Sequence, residues 1–229
     1  MAKRMDPTER RARIVDAALA VMLRKGIAAT TVRDVAAEMG SSSGLVHHYF
    51  DSMDELLATA FDQAASVDLE STRSALRSAP DPVEQLRTFF ATYIRAEQDW
   101  AFQLWLDAWA EASRRPALQA TSQRLNVAWQ QLLSSVVGAG IDTGSFTCAD
   151  AEGTAWRILS LLDGLALQTV AHRVALDRAS VLAWSVAYAE SELGLAPGTL
   201  EISAGARWAD GPAGPQPAAP ATTGHRPSP

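Results

Sequence analysis

Apolar positions recur along this chain at spacings of three and four, and strict alternation is scarce, so the pattern predicts helices and few strands. Asp6-Pro7 has the form of an N-cap followed by proline at the first helical position. Behind it Ile14, Ala17, Ala18 and Val21 share one face, and Gly26 ends the run. A short helix is predicted from Thr31, with Thr31 and Asp34 as a capping box and Val32, Val35, Ala36 and Met39 as its apolar face. Gly40 stops it. A third helix begins near Ser42 and buries Val46 and Phe50. Ser52 to Glu55 reads as another capping box and opens a long helix through about Arg77. Asp81-Pro82 repeats the cap-plus-proline signal for a helix to about Gln98. Four further helices are predicted over about 101–114, 117–138, 148–172 and 178–193. Their breaks are Arg115-Pro116, Gly138-Ala139-Gly140 and the Ile141–Phe146 turn. The fold class is therefore all-α, with about nine helices.

Thr31 to Phe50 follows the plan helix, glycine-bearing turn, helix, braced by the helix before it, which is a helix-turn-helix. Gly40 supplies the backbone freedom of the turn. The hydroxyls of Ser41, Ser42 and Ser43 sit at a helix start, where a phosphate oxygen is favoured; the same serines also read as plain turn formers. Leu45, His47, His48 and Tyr49 project from a helix whose other face is buried. Neighbouring helical residues point about 100° apart, so His47 and His48 cannot chelate one ion together, and neither a metal nor a cofactor is expected.

Composition adds a division of charge. The net charge of -6 alone argues against a nucleic-acid binder. Residues 1–50, however, hold eight Lys/Arg against five Asp/Glu, and the remainder holds twelve against twenty-one. A basic head on an acidic body is expected when one end meets phosphate. Cys148 is the single cysteine, so no intrachain disulfide forms, which fits a reducing compartment. Neither a signal peptide nor a run of about 18 apolar residues is present, so a cytoplasmic protein without a membrane partner is expected. From Ala196 the chain is rich in Pro, Ala and Gly, and is expected to be disordered. The expected domains are 1–52, a DNA-binding head; 53–195, an effector-binding and dimerisation body; and 196–229, a tail.

The run Thr30-Thr31-Val32-Arg33-Asp34-Val35-Ala36-Ala37-Glu38-Met39-Gly40, then Ser41-Ser42-Ser43-Gly44-Leu45-Val46-His47-His48-Tyr49-Phe50, then Asp51-Ser52-Met53-Asp54-Glu55-Leu56-Leu57, resembles the second to fourth helices of the TetR family of transcriptional regulators. The match covers about residues 8–60. Ser41, His47 and Met53 stand where that family commonly has valine, tyrosine and a phosphate-contacting lysine. The resemblance implies phosphate contacts from Thr31, Ser42, His47 and Tyr49. It implies base-edge contacts from Ser43, Gly44, Leu45 and His48, with Arg33 near the groove. These side chains offer no bidentate arginine–guanine contact, so modest direct readout per half-site is expected. Thr31 is a cap first and a phosphate contact second, and Arg33 reads equally as a solvated charge.

In the body, Trp105 and Trp109 share a helix face with Phe102, and Trp129 and Trp156 lie on the next two helices. Gly164 inside an apolar helix asks for a reason, either close helix approach or a pocket. The segments Trp105-Leu-Asp107-Ala-Trp109-Ala-Glu111 and Leu162-Asp163-Gly164-Leu165-Ala166-Leu167-Gln168 resemble the choline-responsive branch of the TetR family. That implies an effector pocket, with Trp105, Asp107, Trp109, Trp156 and Asp163 as candidates. Tryptophans beside carboxylates suit an organic cation, although a tryptophan stripe reads first as core. Leu159, Leu162, Ala166 and Val170 make one apolar stripe, and Val181, Trp184 and Tyr188 another. Paired across two subunits they would form a four-helix homodimer interface, as the family does. The expectation is a repressor of a (pseudo)palindromic double-stranded DNA operator, released when a small molecule enters the body. Two alternatives stand beside it. One is a regulator controlled by a protein partner. The other is an α-helical enzyme, for which no cysteine–histidine pair, HExxH or glycine-rich phosphate loop is present.

Overall fold

The computed structural model describes residues 6–93, 99–172 and 176–202. Nine helices lie among them: α1 (Pro7–Lys25), α2 (Val32–Glu38), α3 (Ser43–Tyr49), α4 (Met53–Ser78), α5 (Pro82–Tyr93), α6 (Asp99–Ala112), α7 (Pro116–Asp142), α8 (Ala151–Ala171) and α9 (Arg178–Leu193). The described residues form no strand.

The caps explain the short elements. Thr31 and Asp34 form the full reciprocal box that starts α2. The Ser52 hydroxyl accepts from the Glu55 N–H, but the Glu55 carboxylate turns to the Asp51 N–H, so the second box is only half made. Asp6 occupies the N-cap of α1 without a side-chain bond. Gly26 ends α1 at φ 84°, a conformation that favours glycine. Helix α3 is only seven residues long and is anchored by buried Val46 and Phe50. The Arg11 guanidinium lies 4.4 Å from the Phe50 ring centroid and pairs with Glu55, which ties α1 to the α3–α4 corner.

Two apolar clusters build the molecule. The first gathers α1–α3 around the first half of α4, with Leu104 and Ala108 of α6 and Leu118 and Leu125 of α7. The second fills the space between the end of α4 and helices α5, α7, α8 and α9. Trp105 packs against both clusters. Helices α4 and α6 therefore belong to head and body alike.

Two boundaries differ from the sequence reading. Helix α7 does not break at Gly138-Ala139-Gly140 but runs to Asp142. The ring of Phe146 folds back onto Gly140, where a Cβ would lie 1.9 Å from a ring carbon, so this glycine serves close packing rather than termination. The end of the body also lies later than residue 195. Leu200 is fully buried, the Glu190 carboxylate accepts from the Gly198 and Leu200 N–H groups, and Arg87 donates to the Thr199 carbonyl. Residues 196–202 are thus held by one buried carboxylate and one guanidinium, which a composition argument does not see. The rest of the predicted tail, and residues 94–98 of the predicted fifth helix, lie outside the described residues.

Candidate nucleic-acid interface and buried cavity

On the head, α3 turns Gly44, His47 and His48 outward, with Ser42 exposed at its start. Ser43, Leu45 and Tyr49 are half-buried. Tyr49 packs on the head core and meets the His48 ring edge-on at 5.1 Å, so it braces the helix from a position still open to solvent. The Ser42 side chain makes no cap bond, which leaves its hydroxyl available. Arg33 is exposed on α2. Thr31 is also exposed, but its hydroxyl donates to the Asp34 carboxylate at 2.7 Å and accepts from the Asp34 N–H. Its duty as a cap therefore competes with any phosphate contact. Lys25 and Thr31 bond to Asp34 and hold its carboxyl at about 2, below the ordinary carboxylate range. With the Arg24–Glu38 pair, this fastens the end of α1 to α2.

In the body, a cavity of about 760 Å³, its mouth to solvent included, opens between α4, α5, α6, α7 and α8. Its aromatic wall comprises Phe89, Tyr93, Phe102, Trp105, Trp109 and Trp129. The polar residues that line it are Asp68 and Thr72 on α4, Thr92 on α5, Asn126 on α7 and Asp163 on α8. The Tyr93 hydroxyl donates to Asp163. Burial lifts the Asp163 carboxyl to about 6, against the opposing pull of the Tyr93 bond. Burial first, and the Asp163 charge second, push the Tyr93 hydroxyl well above its ordinary range. Among the described residues no lysine or arginine pairs with Asp163. An apolar, ring-lined cavity containing a carboxylate that no described cation pairs with can receive a compact organic cation.

Of the predicted pocket residues, Trp105, Trp109 and Asp163 meet here. Asp107 does not. It points from α6 to the end of α1, where it accepts from the Ile27 N–H at 3.3 Å and presses on Gly26. Trp156 sits half-buried on α8 and does not border the cavity. Gly164 neither lines it nor meets a neighbour within 4 Å, and nothing in the structure explains this glycine. The sequence reading passed over Asp68, Thr72 and Tyr93. Asp68 and Thr72 stand four apart on α4, a polar pair whose spacing was the available signal.

The predicted dimer stripe is also corrected. Leu159, Leu162, Ala166 and Val181 are each 5% exposed or less and pack within the subunit, and Val170 borders the cavity. The first four are spent on the body's own core. Trp184 remains 53% exposed on α9, with Tyr188 half-buried a turn later.

A helix-turn-helix head carried on a larger all-helical body defines a DNA-binding transcriptional regulator. Residues 14–60 match the sequence model of the bacterial regulatory proteins of the tetR family, and residues 82–194 match the C-terminal region of BetI-type transcriptional repressors. The HTH-type transcriptional regulator BetI of Rhizobium meliloti (strain 1021) is 30% identical over 163 residues, 70% of this chain and 77% of that protein. The crystal structure of a transcriptional regulator from Pseudomonas aeruginosa PAO1 is 28% identical, with a TM-score of 0.70 over 82% of this chain and 92% of that one. A regulator from Saccharomonospora viridis, solved in complex with choline, shares the fold at 22% identity, with a TM-score of 0.73 over 80% of this chain and 96% of that one. The chain belongs to the TetR family of transcriptional regulators, and its body is of the BetI type. That family consists of regulators, which answers the enzyme alternative. No helix among the described residues is long and apolar enough to cross a membrane.

Proposed function

We propose that this regulator is a homodimeric repressor whose operator binding is relieved by a small organic cation in the body cavity. The observation that carries the reading is the Asp163 carboxylate, which among the described residues is held by the Tyr93 hydroxyl alone and is set in a wall that includes three tryptophans. Desolvation makes such a carboxylate costly alone and favourable beside a ligand cation. The choline-bound neighbour supports the same ligand class. A cavity of this kind also favours a small-molecule effector over control by a protein partner alone.

The head would meet DNA through α3. Ser42, His47 and Tyr49 would contact phosphate, with Thr31 secondary because of its cap. Ser43, Gly44, Leu45 and His48 would face the base edges, and Arg33 would stand beside the groove. Two heads must span successive major grooves roughly 34–36 Å apart, so dimer geometry decides binding. The exposed Trp184 and the neighbouring Tyr188 of α9 offer the apolar surface for the second copy. Ligand in the cavity would shift α6 and α4 and change the head separation, a population shift with reciprocal coupling.

The test uses the full chain, choline and its uncharged carbon isostere, dimethylbutanol. Quenching of tryptophan fluorescence should show choline binding at least about tenfold more tightly, and choline should weaken salt-sensitive binding to DNA from the upstream region. Equal affinity for the two probes, or no effect of choline on DNA binding, would overturn the reading.

A further inference from the structure

Helix α3 carries two adjacent histidines, and their surroundings differ. His48 sets its ring edge-on against Tyr49 at 5.1 Å. His47 points about 100° away from it around the helix and is exposed, and among the described residues nothing bonds to its imidazole. The charged groups of the elements around α3 are engaged elsewhere. On α2, Asp34 is held by Lys25 and Thr31, and Glu38 by Arg24. On α1, Arg11 lies over Phe50 and pairs with Glu55 of α4. Asp54 caps the start of α7. Arg33 on α2 and Asp51 in the turn after α3 are both exposed, and neither is bonded to His47. The charge on His47 is therefore decided by what it meets outside the protein.

We propose that His47 makes operator binding proton-coupled: its imidazolium pairs with a DNA phosphate, and the head takes up a proton as the complex forms. The inference rests on the reading of α3 as the DNA-contacting helix and deepens it. Imidazole is the side chain that changes charge between pH 5 and 8. A neutral ring can donate one N–H to a phosphate oxygen, but the cation adds charge to that bond and is favoured beside a polyanion. The coupling is reciprocal, so whatever the phosphate gains from the proton, the proton gains from the phosphate. Affinity for DNA therefore rises as pH falls. Tyrosine, common at this position in the family, stays neutral over this range, so the device is a property of this chain. A dimer presents two such rings to the duplex.

The experiment titrates DNA from the upstream region with the full chain at pH 6, 7 and 8, each over a salt series. Wild-type affinity should fall at least about tenfold from pH 6 to pH 8, since one proton taken up changes affinity about tenfold per pH unit where it is fully linked. The salt dependence should be steeper at pH 6, by about 0.9 in logarithmic slope for each phosphate that gains a cation. His47→Gln should lose both effects. His47→Lys, cationic throughout, should bind tightly at all three pH values, which separates loss of charge from a packing defect. His48→Gln should lower affinity alike at every pH and keep the slope. Asp163→Asn should also keep it, which sets aside the proton that the body takes up at about 6. A wild type indifferent to pH, a slope that survives in His47→Gln, or one lost only in His48→Gln would overturn the role of His47 while leaving α3 as the reading helix. Failure of the wild type to bind this DNA at low salt at any pH would overturn the DNA-contact reading and this inference with it.

Discussion

Lowering the pH from 7 to 5 should weaken the binding of a cationic ligand about tenfold. Burial raises the Asp163 carboxyl to about 6. At pH 7 roughly nine-tenths of the empty protein then carries the charge, and at pH 5 roughly one-tenth. A cation binds the ionised form, so the proton competes with it: affinity rises with pH through about 6 and levels off above. Among the described residues the other ionisable side chains on the wall are Asp68 and Tyr93, and Tyr93 is pushed up, so it stays protonated throughout this range. Choline titrations followed by tryptophan fluorescence at pH 5, 6, 7 and 8 measure the slope, because Trp105, Trp109 and Trp129 report from the wall itself. Asp163→Asn should bind more weakly at pH 7 and show no slope. The same shift has a ligand-free consequence. With its carboxyl above the ordinary 3.8, the native state holds a proton that the unfolded chain has released. Stability should therefore fall as pH rises from about 4 to about 6, and Asp163→Asn should remove that decline. A pH-independent affinity in the wild type, or an unchanged slope in Asp163→Asn, would refute the reasoning.

The remaining expectations concern the scaffold and its joint. Gly140→Ala places a methyl against the buried Phe146 ring and should cost about 1–3 kcal/mol in denaturant unfolding, with the secondary structure retained. Asp54→Ala removes the acceptor of the Ala117 and Leu118 N–H groups at the start of α7, a cap supplied by another helix, and should cost about 1 kcal/mol by the same measurement. Asp107→Ala should leave choline affinity without DNA within about twofold, since Asp107 does not border the cavity. It should nevertheless shrink the factor by which choline weakens operator binding, read in titrations with and without choline.

What could be read in the sequence was whatever repeats locally. The capping box at Thr31 and Asp34, the left-handed glycine at Gly40 and the apolar faces of α1 and α2 each depend on residues within one or two turns, and each stands as expected. The errors share a different cause. Leu159, Leu162, Ala166 and Val181 form the predicted stripes, but periodicity cannot tell whether an apolar face meets its own subunit or a second one. Gly140 looked like a helix stop because the residue that explains it, Phe146, returns to it only in three dimensions. Asp107 lies between two cavity tryptophans in sequence and points elsewhere, since residues two apart on a helix face different directions. Thr72 carried no signal beyond its spacing from Asp68.

The position of Asp107 shows how this chain can join its two ends. Helix α6 offers Phe102, Trp105, Leu106 and Trp109 to the cavity, while Leu104 and Ala108 enter the head's core. Between these faces Asp107 accepts from the Ile27 N–H and from Gln103, and abuts Gly26, whose positive φ lets the chain turn there. Helix α4 makes a second connection, since it caps α7 through Asp54 near its start and lines the cavity through Asp68 and Thr72 farther along. A rigid element that touches both sites can carry coupling only if the two sites favour different placements of it. Neither helix can shift against the cavity without disturbing a buried contact at the head. Ile27 is fully buried, so its N–H cannot trade Asp107 for water at no cost. A joint of this kind would resist small displacements and favour discrete arrangements, as the proposed release of two reading helices by a small cation requires.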